Sequence, residues 1–193
     1  MRRAVLAISA VILVVLVVVG LTQAGGKSTT GEPAKPFDLA HAKARLQGAP
    51  PPLASLYAQP SALLAGGSGA FQKRLRSLRG HPVVINKWAS WCGPCRAEFP
   101  LFQSVSADRG RDIAFLGVDA RDKRPAAASF LSQYPVPYPS YEDPGEVIAR
   151  SLKAPQNFPI TIFVDAKGRT TFIHQGGYTS EAALVADLSR HLG

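Results

Sequence analysis

Two cysteines are all that this chain of 193 residues contains, and they stand three apart in Trp91-Cys92-Gly93-Pro94-Cys95, just after the apolar run Val83–Trp88. A short run rich in β-branched residues predicts a buried strand, and Pro94 suits an early helix position, where a missing N–H costs nothing. The pair therefore falls where a strand turns into a helix. Three residues is nearly one helical turn, so both sulfurs would lie at the same end of one helix, close enough for a reversible bridge. With Cys92 just before the first turn, the unpaired N–H groups and the positive dipole end favour its thiolate. Cys92 is then the attacking nucleophile and Cys95, one turn deeper, the resolving thiol. Gly93 leaves the sulfur sterically accessible.

Other uses of the pair fit less well. A structural zinc site takes four ligands, and His41, His81, His174 and His191 show no His-x(3–5)-His spacing to complete one. A permanent structural disulfide across so short a loop would restrict the unfolded chain little. A Cys-X-X-Cys beside a strand-helix pattern reads as a redox motif.

An apolar fraction of 46% supports a buried core, and two cysteines form no disulfide framework, so the domain must hold by packing. The chain carries 22 basic and 13 acidic residues; without Arg2 and Arg3, 20 against 13 still leaves about +7. No basic-aromatic platform or recognition motif accompanies that charge, which argues for a solvated basic face and against nucleic-acid binding.

Arg2 and Arg3 precede an uncharged run, Ala4 to Gly26, whose Ala4–Val19 section is almost wholly aliphatic. About 20 apolar residues span a bilayer and a basic flank stays cytoplasmic, so residues 1–24 predict a retained transmembrane signal-anchor with the remainder exported. The alternative is a cleaved signal peptide ending near Thr22-Gln23-Ala24, giving a secreted protein. Residues 25–52 read as a flexible tether with one short helix, Leu39 to Leu46, capped by Asp38 and ended by Pro50-Pro51-Pro52. The expected domain is 53–193. It opens with a helical pattern from Ser61 to Arg79, interrupted at Gly66-Gly67 and capped again by Ser68. Strands are expected at Val83–Trp88 and Ile113–Asp119, helices at Pro94 to about Ala107 (kinked at Pro100), Pro125–Gln133 and Pro144–Leu152. Tyr134 to Pro139 is too proline-rich for a central strand. Ile160–Val164 and Thr171–His174 flank a hairpin turn, and Ser180 caps a last helix with Leu184, Val185, Leu188 and Leu192 on one face.

The stretch Asn86-Lys87-Trp88-Ala89-Ser90-Trp91-Cys92-Gly93-Pro94-Cys95-Arg96-Ala97-Glu98-Phe99-Pro100, with the later Asn157-Phe158-Pro159-Ile160-Thr161, resembles the membrane-associated TlpA/ResA/DsbE branch of thioredoxin-like thiol-disulfide oxidoreductases. The likeness runs from about Gly80 to the end. It implies an α/β fold, a three-layer sandwich with a mixed central sheet flanked by helices. It also implies a cis peptide before Pro159, facing the disulfide and presenting extended backbone to a client. Two positions depart from the common pattern. Asn86 stands where thioredoxins usually carry a buried aspartate, and Lys87 where an aromatic or aliphatic residue is commoner.

Around the cysteines, Trp91 reads as site-flanking surface and Trp88 as core. Asn86 would bond backbone beneath the cysteines and, unlike an aspartate, cannot take a proton from Cys95. Glu98, three residues past Cys95, reads first as a solvated helix carboxylate and second as a proton shuttle. Lys87 reads first as a snorkelling side chain at the sheet margin and second as a charge that stabilises the Cys92 thiolate. His174 reads as structural.

The function expected from residues and resemblance together is an extracytoplasmic thiol-disulfide oxidoreductase with no bound cofactor or metal, reducing client disulfides. The resemblance suggests apocytochrome c as client and a membrane electron donor of DsbD/CcdA type. Alternatives are an oxidant or isomerase of secreted proteins, or a copper-delivery module using both thiolates.

Overall fold

The computed structural model describes residues 36–192. The expected signal-anchor and the first part of the tether lie outside the described residues; among the described residues no helix is long and apolar enough to cross a membrane. In chain order come α1 (Leu39–Arg45), α2 (Pro51–Tyr57), β1 (Leu63–Leu64), α3 (Gly67–Ser77), β2 (Val83–Trp88), α4 (Gly93–Arg109) and β3 (Ala114–Ala120). There follow α5 (Arg124–Gln133), β4 (Ser140–Asp143), α6 (Val147–Ser151), β5 (Ile160–Val164), β6 (Thr170–Gln175) and α7 (Glu181–Leu192).

The strands form one sheet in the order β1-β4-β3-β2-β5-β6. β1, β4, β3 and β2 run parallel, while β5 is antiparallel to β2 and β6 to β5. Every residue of β2, from Val83 to Trp88, is buried, as its apolar run requires of a central strand covered on both faces. Register sorts the side chains. Asn86, Gly117, Ser140 and Thr161 stand in one row across the sheet, and Lys87, Val118 and Tyr141 in the next row, on the opposite face. Trp88, on the Asn86 face, meets Phe99 of α4 and Phe130 of α5 at 5.3 and 5.1 Å between ring centroids. Its Nε1 donates to Ser140 Oγ at 3.1 Å. A Cβ on Gly117 would overlap Ser140 and stand 2.9 Å from Trp88 Nε1, so a glycine is required there. α1 and α7 pack against α4 on this side. On the other face Phe71 of α3 meets Tyr141 edge-on at 5.3 Å, and α6 packs against α3.

The N-terminal part of the domain departs from expectation. Asp38 does cap α1, accepting from His41 N at 2.9 Å, but Ala42 and Leu46 are buried and Arg45 pairs with Asp108 of α4 at 2.6 Å. Pro51 and Pro52 begin a helix where a break was expected, because an N–H at the first helical positions has no partner within the helix and proline loses nothing by lacking one. Leu53, Leu56 and Tyr57 of that helix enter the core. Residues 37–52 therefore pack on the domain. Ser61 to Leu64 is not helical: Ser61 N donates to Val136 O, and β1 pairs with β4. Ser68 lies inside α3, whose N-cap is Gly66 at φ 106°, a left-handed conformation natural to glycine. α4 continues through Pro100, which sits on its exposed side.

Candidate active site

Parallel strands β2, β3 and β4 end at the same edge of the sheet, and the cysteines lie there. The chain leaves Trp88, turns through Ala89-Ser90-Trp91, and places Cys92 at the N-cap of α4 with φ −82° and ψ 108°. Cys92 and Cys95 are joined in a disulfide with Cα atoms 5.3 Å apart. Cys92 Sγ also accepts from Cys95 N at 3.1 Å, so the sulfur already occupies the helix's unpaired amides. In the reduced state that position favours a thiolate. Cys92 retains 4% exposure and Cys95 none, so Cys92 is the more accessible of the two sulfurs. Gly93 and Pro94 form the exposed first turn, and a methyl on Gly93 would meet nothing within 4 Å.

The turn before Cys92 is held from the end of β3. Ser90 N donates to Asp122 Oδ2 at 2.5 Å, and Trp91 Nε1 to Arg121 O at 3.0 Å. Trp91 is 56% exposed and leans on the Phe158 ring at 5.0 Å. Behind this turn, burial first and then the charges of Asp122, Glu142 and Asp143 push the Asp119 carboxyl up to about 8.

Pro159 reaches the same edge because the Lys87–Ile160 pairing of β2 with β5 ends one residue after it. The Phe158–Pro159 peptide is cis. Pro159 O accepts from Gly176 N at 3.0 Å, and Gly177 is fitted between Pro94 and Pro159: a Cβ there would stand 3.4 Å from Pro94 O and 3.7 Å from Pro159 Cγ. The proline thus packs beside the cysteine motif.

Asn86 and Glu98 both differ from their expected roles. The Asn86 amide donates to Glu98 Oε1 at 2.7 Å instead of to backbone, and Glu98 is fully buried instead of solvated. The reason is the helix face: Cys95 and Glu98, three apart, point together into the sheet. Tyr178 N donates to Glu98 Oε2 at 3.1 Å. Burial pushes the Glu98 carboxyl up to about 7, although both hydrogen bonds lower it. The Tyr138 phenol is pushed up by burial and by the Glu98 charge.

Lys87 does not snorkel. It is 1% exposed, on the sheet face opposite Asn86, and its ammonium pairs with Glu146 Oε1 at 2.8 Å and donates to Pro155 O at 2.8 Å. None of those contacts involves a sulfur, and they give the thiolate-stabilising role no support. His174 stacks on Tyr178 at 4.0 Å and faces Asp187 at 3.5 Å, a structural arrangement as expected. Among the described residues no group of three His, Cys, Asp or Glu side chains could hold a metal ion. Tyr178, Asp122, Asp119, Glu146 and Phe158 escaped the sequence reading. Only Phe158, inside the quoted Asn157–Thr161 stretch, carried a local signal.

A cysteine pair at a helix start, on the carboxyl edge of parallel strands and beside a cis-proline, defines a thiol-disulfide site of the thioredoxin-like class. The chain belongs to the Redoxin family, whose model matches residues 58–188. It is 39% identical over 101 residues to the thiol:disulfide interchange protein DsbE homolog of Paracoccus denitrificans (strain Pd 1222), covering 51% of this chain and 52% of that one. It is 32% identical over 110 residues to the thiol-disulfide oxidoreductase ResA of Oceanobacillus iheyensis, covering 55% of each. Among solved structures, a secreted Mycobacterium tuberculosis disulfide oxidoreductase homologous to E. coli DsbE superposes with a TM-score of 0.54 at 27% identity, over 60% of this chain and 85% of that one. The chain spans about half the length of the curated relatives it matches. Its fold is thioredoxin-like, a mixed sheet flanked by helices.

Proposed function

We propose that this chain is an extracytoplasmic thiol-disulfide oxidoreductase that reduces client disulfides. One observation carries the reading: Cys92 caps α4 with its sulfur on the Cys95 amide and is bonded to the buried Cys95. In the reduced protein the Cys92 thiolate attacks a client disulfide and displaces one client thiolate, leaving a mixed disulfide. Cys95 then gives up its proton and attacks Cys92 Sγ. The second client thiolate leaves, two electrons have passed to the client, and the Cys92–Cys95 bond is restored. Glu98, on the buried helix face with Cys95 and titrating near 7, is the group that takes the proton. Asn86 fixes that carboxyl, and Pro159 and Trp91 flank the sulfur that a client must approach.

The same reading places residues 1–24 in a membrane as an anchor, the domain outside the cytoplasm, and a DsbD/CcdA-type membrane donor as the source of electrons. Apocytochrome c is the client proposed. Support for the anchor comes from the basic flank and apolar run at the N-terminus; the relatives' names support thiol-disulfide exchange, and the donor and client rest on the family resemblance alone. Fractionation tests the anchor: protein that resists carbonate extraction supports it, and soluble protein beginning near Gly25 contradicts it.

Direction is tested by the potential of the Cys92–Cys95 couple. A value near the about −270 mV typical of thioredoxin supports a reductant, and one near about −120 mV marks an oxidant. Cys92→Ser should abolish reduction of a model disulfide.

A further inference from the structure

We propose that Lys87 is a positioning residue: its buried ammonium holds the segment before Pro159 in the shape that a client peptide docks on. This rests on the oxidoreductase reading above. Pro155-Gln156-Asn157-Phe158 runs between α6 and β5 with no helix or strand of its own. Lys87 reaches it from the central strand. Its Nζ donates to Pro155 O at 2.8 Å and to Asn157 O at 3.5 Å, pairs with Glu146 Oε1 at 2.8 Å, and lies 4.1 Å from the centroid of the Phe158 ring.

An ammonium has three directed donors and is tolerated in a protein interior only when paired and hydrogen-bonded. A carboxylate, two carbonyls and an aromatic face meet that demand here, and each must keep its place to do so. The segment is thereby tied to the strand that carries the site. Phe158 sits between the Lys87 ammonium and the Trp91 ring, 5.0 Å away. A second route runs through Glu146, which lies 4.0 Å from Arg121 Nε; the Arg121 carbonyl accepts from Trp91 Nε1 at 3.0 Å. Both routes end on the residue beside Cys92, and neither passes through a sulfur. Lys87 therefore acts on how an extended client is aligned beside Phe158 and Pro159, where strand-like pairing depends on backbone position, and acts little on the thiol itself.

The test uses the full chain, reduced, with two substrates: a small aromatic disulfide that needs no docking edge, and a disulfide-bonded Cys-X-X-Cys-His peptide with extended flanks. In Lys87→Met the ratio of peptide to small-disulfide kcat/KM should fall about tenfold, through KM. Glu146→Gln, which keeps the shape but removes the charge, should move the ratio the same way, about threefold, and decides the matter if Lys87→Met does not fold. Equal losses on both substrates, or no change on either, overturn the inference while leaving the oxidoreductase reading intact. A wild-type chain inert on both substrates overturns that reading and the role of Lys87 with it.

Discussion

Asn86 Nδ2 donates to Glu98 Oε1 at 2.7 Å and so joins the central strand to the helix that begins with the cysteines. The second Glu98 oxygen takes the Tyr178 N–H at 3.1 Å, so two donors would by themselves hold the carboxyl down. It titrates near 7 all the same, because burial outweighs them. A group of that kind gives and takes a proton at neutral pH.

That has a consequence for stability. Glu98 titrates at 4.5 when exposed and at about 7 in the fold, so between those values the folded chain holds a proton that the unfolded chain has lost. Its stabilising contribution is complete below about 4.5 and is lost as pH rises through about 7. At ~1.4 kcal/mol per pH unit the interval corresponds to about 3 kcal/mol. Urea titrations of the oxidised protein should show the stability of wild type relative to Glu98→Gln falling by about that amount from pH 4.5 to 7. A difference independent of pH contradicts the assignment.

The same substitution tests proton transfer. Glu98→Gln preserves size but cannot accept the Cys95 proton, so release of the client from the mixed disulfide at pH 7 should slow by about tenfold or more. Cys92 alkylation should be altered far less. Stopped-flow measurement of the two steps separates them, and equal slowing of both would place Glu98 at the wrong sulfur.

Tyr57 OH donates to Ile113 O at 2.6 Å and accepts from Phe115 N at 3.1 Å, pinning α2 to the start of β3. Tyr57→Phe leaves both main-chain groups without that partner and should cost about 1–3 kcal/mol. The midpoint of denaturation should fall with no change in the reactivity of the cysteines. An unchanged midpoint would mean that α2 is not part of the cooperative unit.

The elements with a strong local pattern are readable from the residues alone: β2 from the β-branched start Val83-Val84-Ile85, β5 and β6 around their turn, and α7 by its apolar face. β1 is not, because two residues carry no period. α2 is not legible because consecutive prolines read as a break, although proline also begins helices. At the site, spacing fixed what is local: Cys92 at a helix start, with Cys95 one turn on. Spacing also puts Glu98 on the face of Cys95, but says nothing of what covers that face. Its cover includes Tyr178, 80 residues later. Lys87 failed for the same reason: alternation along β2 turns it away from Asn86, but only the folded chain brings Glu146 and Pro155 to it.

In the mechanism proposed above, Cys92 attacks client disulfides and Cys95 resolves them. Cys95 lies one turn from Cys92 and competes at a high effective concentration, so the mixed disulfide is short-lived in the wild type. In Cys95→Ser expressed in its own host it should persist, as protein adducts that vanish on adding reductant and that mass spectrometry maps to Cys92. The reductive reading predicts adducts with apocytochrome c and with the membrane donor. Adducts with many unrelated exported proteins would instead mark a general oxidant. A variant that forms none, from a wild type that binds Cu(I) tightly through both sulfurs, would contradict the enzyme assignment.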